Sequence, residues 1–154
     1  MSQSGFAAII LAAGSGTRMK SSIPKIMHPV AGRPMIAHLL GALSPLRPAA
    51  TVVVIGPRME SVACFVEPAQ SVVQDPPLGT GNAVRIGLTA FAGRAEPDGK
   101  IESLLVLFGD TPLLTTETLR HLLAERQRTR AAVLVASAAS TMRSSRTTPS
   151  ASSI

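Results

Sequence analysis

The chain has 154 residues, 45% of them hydrophobic, with a formal net charge of +6 and one cysteine. That length suits one domain with a sizeable core, and no apolar run approaches the ~18 residues of a membrane span. The cations are scattered and there is no tryptophan or tyrosine, so the basic, aromatic surface of a nucleic-acid binder is missing and neither nucleic acid nor membrane is an expected partner.

In chain order, "FAAIIL" (6–11) reads as a strand, short, continuous and apolar, as in a parallel sheet covered on both faces. A glycine-rich, cationic stretch follows it, "LAAGSGTRMKSSIPK" (11–25). Met35, Ile36, Leu39, Leu40 and Leu43 then recur on one helical face, with Pro34 expected in the first turn. "TVVVIG" (51–56) is a second buried strand, followed by a short helix over 58–65 and a strand over 71–74. Ala83, Ile86, Gly87, Ala90 and Phe91 mark another helix, and 92–102 is polar and turn-rich, expected as a surface loop. "SLLVLFG" (103–109) is a third buried strand. A last helix carries Leu119, Leu122 and Leu123, with Thr115 or Thr116 as N-cap and Glu117 in its first turn. Strands alternating with helices predict an α/β sandwich around a mostly parallel sheet.

Three stretches carry chemistry. In the first loop, Gly14 and Gly16 let backbone N–H groups approach an anion closely, Arg18 offers a forked donor and Lys25 a point charge. The loop follows a strand, where open α/β sheets bind ligands. It is neither a Walker A loop nor GxGxxG, because Met19 stands at the third glycine position. Its alternative reading is a solvated surface loop. "QDPPLGTGNAV" (74–84) places Gln74 where a side-chain amide can read a base edge, with Gly79 and Gly81 at a helix start; its alternative is a loop capped through Thr80. "FGDTPL" (108–113) ends a strand with Asp110, which can face a phosphate through a hard cation such as Mg²⁺ or merely cap a turn at Thr111 and Pro112. His28, His38 and His121 have no metal-ligand spacing and read as structural or solvated. Cys64 has no partner for an internal disulfide and reads as a small buried or half-buried apolar residue. Met19, Met27, Met35 and Met59 read as packing residues. No basic n-region precedes the first apolar run, so no secretory signal is read, and the expected location is cytoplasmic.

Taken together, "LAAGSGTRMKSSIPKIMHPVAGRPMIAH", "QDPPLGTGNAV" and "GDTPL" resemble, over residues 6 to 135, the pyrophosphorylase domain of the bifunctional bacterial enzyme that makes UDP-N-acetylglucosamine, a peptidoglycan precursor. The first motif alone is shared with other nucleotidyltransferases, including those for methylerythritol cytidylyl transfer and molybdopterin guanylyl transfer. The resemblance implies a Rossmann-like nucleotidyltransferase fold, a three-layer αβα sandwich. It implies transfer of uridylyl from UTP to N-acetylglucosamine 1-phosphate, with Mg²⁺ and release of pyrophosphate. It further implies that Leu11, Ala12, Ala13 and Gly14 line the uridine and that the catalytic Arg18 and Lys25 hold phosphates. Gln74, Gly79 and Thr80 would contact uracil and nucleotide, Phe108, Gly109 and Asp110 would close the site, and Asp110 would bind the metal. The remaining alternatives are another sugar-phosphate, cytidylyl or guanylyl transferase and an inert nucleotide-binding module.

Two departures from that family stand out. Asn82 replaces the histidine common after "LGTG", and the sugar-binding half and the β-helix acetyltransferase domain, through which the full-length family forms homo-oligomers, are not in this sequence. Residues 1–135 are therefore expected to be a partial nucleotidyltransferase domain, incomplete at its C-terminus. In 136–153, 14 of 18 residues are alanine, serine or threonine, so 136–154 is expected to be a low-complexity, disordered tail. The 154-residue chain is accordingly expected to bind nucleotide without completing the transfer.

Overall fold

The computed structural model describes residues 5–14, 21–91 and 101–130. The expectations for Gly16, Arg18 and Met19, for 92–100 of the turn-rich loop and for 131–154 lie outside those residues. Four parallel strands form the sheet: β1 (Gly5–Leu11), β4 (Ala50–Ile55), β5 (Gln70–Val73) and β6 (Ile101–Phe108). Their order is β5-β4-β1-β6, and a two-stranded hairpin, β2 (Pro29–Val30) with β3 (Arg33–Pro34), stands apart. From β1 the chain steps outward through β4 to β5 and then returns to the other side of β1. That return makes the β1/β6 boundary a switch point, and a crevice forms there beyond the carboxyl ends of the strands.

Alternation along the strands divides the core into two layers. Phe6, Ala8 and Ile10 of β1 join Val53, Ile55, Leu105 and Leu107 on one face. Onto them pack Ile36, Leu39 and Leu43 of α1 (Met35–Leu43), Val62 of α2 (Glu60–Phe65) and Leu119 of α4 (Thr116–Thr129). Ile9 and Val54 face the other way and meet Ala83 of α3 (Thr80–Thr89). This is the expected three-layer αβα arrangement. Each fully buried isoleucine or leucine contributes about 1.5–3 kcal/mol relative to exposure, and Ile9, Ile10, Ile36, Leu39 and Leu43 all qualify. Gly87 brings α3 tight onto the sheet: a Cβ there would stand 2.9 Å from Ile9 Cδ1 and Cγ2 and 3.2 Å from Val54 Cγ2.

Four sequence expectations need correction. β6 is not covered on both faces: Leu105 and Leu107 are buried, but Leu104, Val106 and Phe108 are exposed. It flanks β1 at the end of the described sheet, and α3 lies over β1 and β4. Ile101 and Glu102, expected in the surface loop, begin β6, because Gly5 of β1 pairs with Ile101. Pro34 precedes α1 as its N-cap, with ψ 143°, since it also closes the hairpin opposite Pro29. Cys64 is exposed, because α2 turns Val62 to the core and Cys64 away from it.

The expected cap of the last helix holds. Thr115 caps α4, its hydroxyl accepting from Thr118 N–H at 3.2 Å, while the Thr116 hydroxyl donates to Ala42 O at 2.8 Å and ties α4 to α1. The hairpin turns through Ala31 (φ 48°) and Gly32 (φ 78°), the left-handed pair that matches strand twist. His38 of α1 donates from Nε2 to Val30 O at 2.8 Å and holds the hairpin down. Its role is structural. His121 is solvated, 3.8 Å from Glu117, and His28 Nε2 is buried without a partner. No helix among the described residues is long and apolar enough to cross a membrane.

Candidate nucleotide-binding cleft

The carboxyl ends of all four parallel strands open into one cleft of about 500 Å³. Leu11, Ala12, Ala13 and Gly14 continue β1 into it, and Lys25 enters from the 3₁₀ turn Lys25–Met27. Gln74 follows β5, Gly79 and Thr80 open α3, and Phe108 and Asp110 end β6. Residues far apart in the chain are thus gathered at the switch point. Arg18 lies outside the described residues, and Gly109 does not line the cleft.

Gly109 acts from behind it. Its N–H donates to Leu11 O at 2.9 Å, extending the β1/β6 ladder by one bond. A Cβ at Gly109 would lie 3.2 Å from both Leu11 O and Ile26 Cγ2. The missing side chain therefore leaves room for Ile26, which is buried and anchors the turn that carries Lys25. The result is direct: Lys25 Nζ donates to Asp110 Oδ2 at 2.6 Å, with side chains 41% and 38% exposed. The turn expected at Thr111 is closed by Thr111 itself, whose hydroxyl donates to Phe108 O at 2.6 Å. Asp110 faces Lys25 instead of capping that turn.

On the opposite wall, Gly79 adopts φ 88° and ψ 179°, a conformation that only glycine takes readily. It is the N-cap of α3, so Thr80 is the first helical residue and makes no side-chain cap bond. Gln74 is 4% exposed, and its N–H donates to Ile55 O at 2.8 Å, carrying the β4/β5 ladder to the cleft. Its carboxamide nitrogen donates to Gly79 O at 3.0 Å and to Asn82 Oδ1 at 3.1 Å. The loop after β4 was missed as a contributor: Gly56, Pro57, Arg58 and Met59 also line the cleft. Arg58 adopts φ 60° there, and Met59 Sδ accepts from Gly56 N–H at 3.3 Å. The available signal was position, since "GPRM" follows a central strand at its carboxyl end.

This donor set suits an anion better than a bare metal. Among the described residues no group of three or more histidine, cysteine, aspartate or glutamate side chains could hold an ion. Asp110 is a single carboxylate, which fits a hard cation only when substrate phosphates complete its shell.

The MobA-like NTP transferase domain matches residues 8–145, most of the chain. The chain belongs to this family. Its curated relatives include the bifunctional protein GlmU of Paramagnetospirillum magneticum, 54% identical over 127 residues, and that of Rhodospirillum rubrum, 55% identical over 120 residues. Those matches take in 82% and 78% of this chain but 27% and 26% of the relatives, so this chain spans about a quarter of the length of the curated relatives it matches. Among solved structures, the chain superposes on Rv0371c of Mycobacterium tuberculosis with a TM-score of 0.64 at 19% identity, covering 80% of this chain and 61% of that one. It also superposes on 4-diphosphocytidyl-2C-methyl-D-erythritol synthase of Anaerococcus prevotii, with a TM-score of 0.59 at 18% identity, covering 81% and 52%. These likenesses show the Rossmann-like nucleotidyltransferase fold.

Proposed function

We propose that this chain carries the UTP site of a uridylyltransferase that makes UDP-N-acetylglucosamine from UTP and N-acetylglucosamine 1-phosphate. The observation that carries the reading is the convergence in one cleft of a glycine at a loop end (Gly14), a cation (Lys25), a carboxamide (Gln74) and a carboxylate (Asp110). The identity to the GlmU proteins supports the uridylyl reading over the cytidylyl and guanylyl alternatives. A cytoplasmic setting goes with this reading.

In the reaction, a phosphate oxygen of the sugar phosphate attacks the α-phosphorus of UTP in line. A new P–O bond forms as the bond from that phosphorus to the β-phosphate's bridging oxygen breaks, and pyrophosphate leaves. No protein nucleophile is needed, so positioning and charge neutralisation do most of the catalysis. Leu11, Ala12, Ala13 and Thr80 shape the nucleoside end. Gly14 and Gly79 let backbone come close to the nucleotide, and Gln74 reads the base. Lys25 and Arg18 neutralise phosphate charge. Asp110 would help to hold a divalent cation such as Mg²⁺, which would supply further charge neutralisation. Lys25 and Asp110 are in contact in the free cleft, so Lys25 would exchange the carboxylate for a phosphate when nucleotide binds.

The test is thermal unfolding. UTP with Mg²⁺ should raise the melting temperature in a concentration-dependent way, reaching about 2.7 kcal/mol of stabilisation at a hundredfold excess over Kd. No shift at millimolar UTP overturns the reading.

A further inference from the structure

Gln74 presents the cleft with one kind of hydrogen-bonding group. A carboxamide nitrogen has two hydrogens, and both are used, by Gly79 O at 3.0 Å and Asn82 Oδ1 at 3.1 Å. Gly79 O is a main-chain carbonyl and can only accept, so it fixes which end of the Gln74 amide is nitrogen. Asn82 must then turn its own oxygen toward Gln74. Among the described residues no hydrogen bond reaches Gln74 Oε1, and Gln74 lines the cleft, so this oxygen is the acceptor that the side chain has left to offer a bound base.

We propose that Asn82 is a specificity-determining positioning residue: by taking the second Gln74 hydrogen it locks the amide so that the cleft meets an acceptor, which selects a base with a ring N–H. The inference rests on the reading of the cleft as a nucleoside triphosphate site. Uracil has one donor on its pairing edge, N3–H, and Gln74 Oε1 accepts from it. Cytosine has a lone pair at N3, which faces another lone pair in the same pose. Turning the amide over to suit cytosine breaks both bonds and sets oxygen against Gly79 O. Asn82 contributes one of the two bonds and never touches the base.

The experiment compares UTP, CTP and N3-methyl-UTP by calorimetry on the full chain and on Asn82→Leu and Asn82→Asp. The unmodified chain should bind N3-methyl-UTP at least tenfold more weakly than UTP. Asn82→Leu should lower the UTP-to-CTP preference by about three- to tenfold, one hydrogen bond's worth. Asn82→Asp keeps an acceptor facing Gln74, so it should retain that preference within about twofold, even where its charge weakens every triphosphate alike. A purely structural Asn82 would shift all affinities together and leave the ratio alone, and that result overturns the inference. Equal binding of UTP and N3-methyl-UTP by the unmodified chain overturns it without any variant. Absence of all nucleotide binding overturns the cleft reading first and this inference with it.

Discussion

Lys25 and Asp110 stand 85 positions apart in the chain, yet Lys25 Nζ lies 2.6 Å from Asp110 Oδ2 across the β1/β6 switch point. Both side chains are more than a third exposed, so the pair contributes little to stability, about 0–1 kcal/mol. On the proposed reading its consequence is functional: one cation and one carboxylate stand side by side in the cleft, and a metal–triphosphate complex would separate them. Lys25→Met should therefore weaken Mg²⁺–UTP binding at least tenfold while moving the unfolding free energy by less than about 1 kcal/mol. Calorimetry and urea denaturation on the same preparation check both halves. A large stability loss with unchanged affinity would make Lys25 a structural residue.

Asp110→Asn removes the charge and keeps the shape. UTP binding to the unmodified chain should tighten with Mg²⁺, and in the variant that dependence should vanish. Titrating UTP with and without excess Mg²⁺ reads this directly, since the ion would be held jointly by the carboxylate and the phosphates. An unchanged Mg²⁺ dependence would remove Asp110 as a ligand.

Two glycines of α3 should respond in opposite ways. A Cβ at Gly87 would clash with Ile9, whereas nothing lies within 4 Å of one at Gly81. Gly87→Val should destabilise by about 1–3 kcal/mol through overpacking. It should also weaken nucleotide binding, because α3 carries Gly79 and Thr80 at the cleft. Gly81→Ala should be neutral or stabilise by up to about 1 kcal/mol. Chemical denaturation of the two variants decides it, and equal effects would show that α3 is not pressed onto the sheet.

Arg18 lies outside the described residues, so its proposed role rests on its place in the cationic loop after β1. Arg18→Ala should weaken UTP binding far more than Arg94→Ala does. Equal losses in a binding titration would make Arg18 an ordinary surface charge.

Much of this was legible in the sequence. The continuous apolar runs of β1 and β4 identify buried strands because both of their faces meet helices. The same signal misleads for β6, whose Leu104, Val106 and Phe108 are as apolar as the rest yet exposed. Apolar periodicity reports side-chain chemistry and cannot tell which face finds a partner. The cleft residues were legible because glycine-rich loops and a terminal carboxylate follow strands. Their pairings were not: Lys25 meets Asp110 through strand order, and Gln74 meets Asn82 through a backbone bend at Gly79. Arg58 escaped notice because a single arginine after a strand carries no motif.

If the cleft takes uridine triphosphate, competitive calorimetry of UTP, CTP and ATP with Mg²⁺ on the 154-residue chain will rank the three. UTP should bind most tightly of the three, with CTP weaker by at least about tenfold, as expected when a base donor is replaced by a lone pair. Equal or tighter binding of CTP would contradict the account and place this cleft with the cytidylyl transferases.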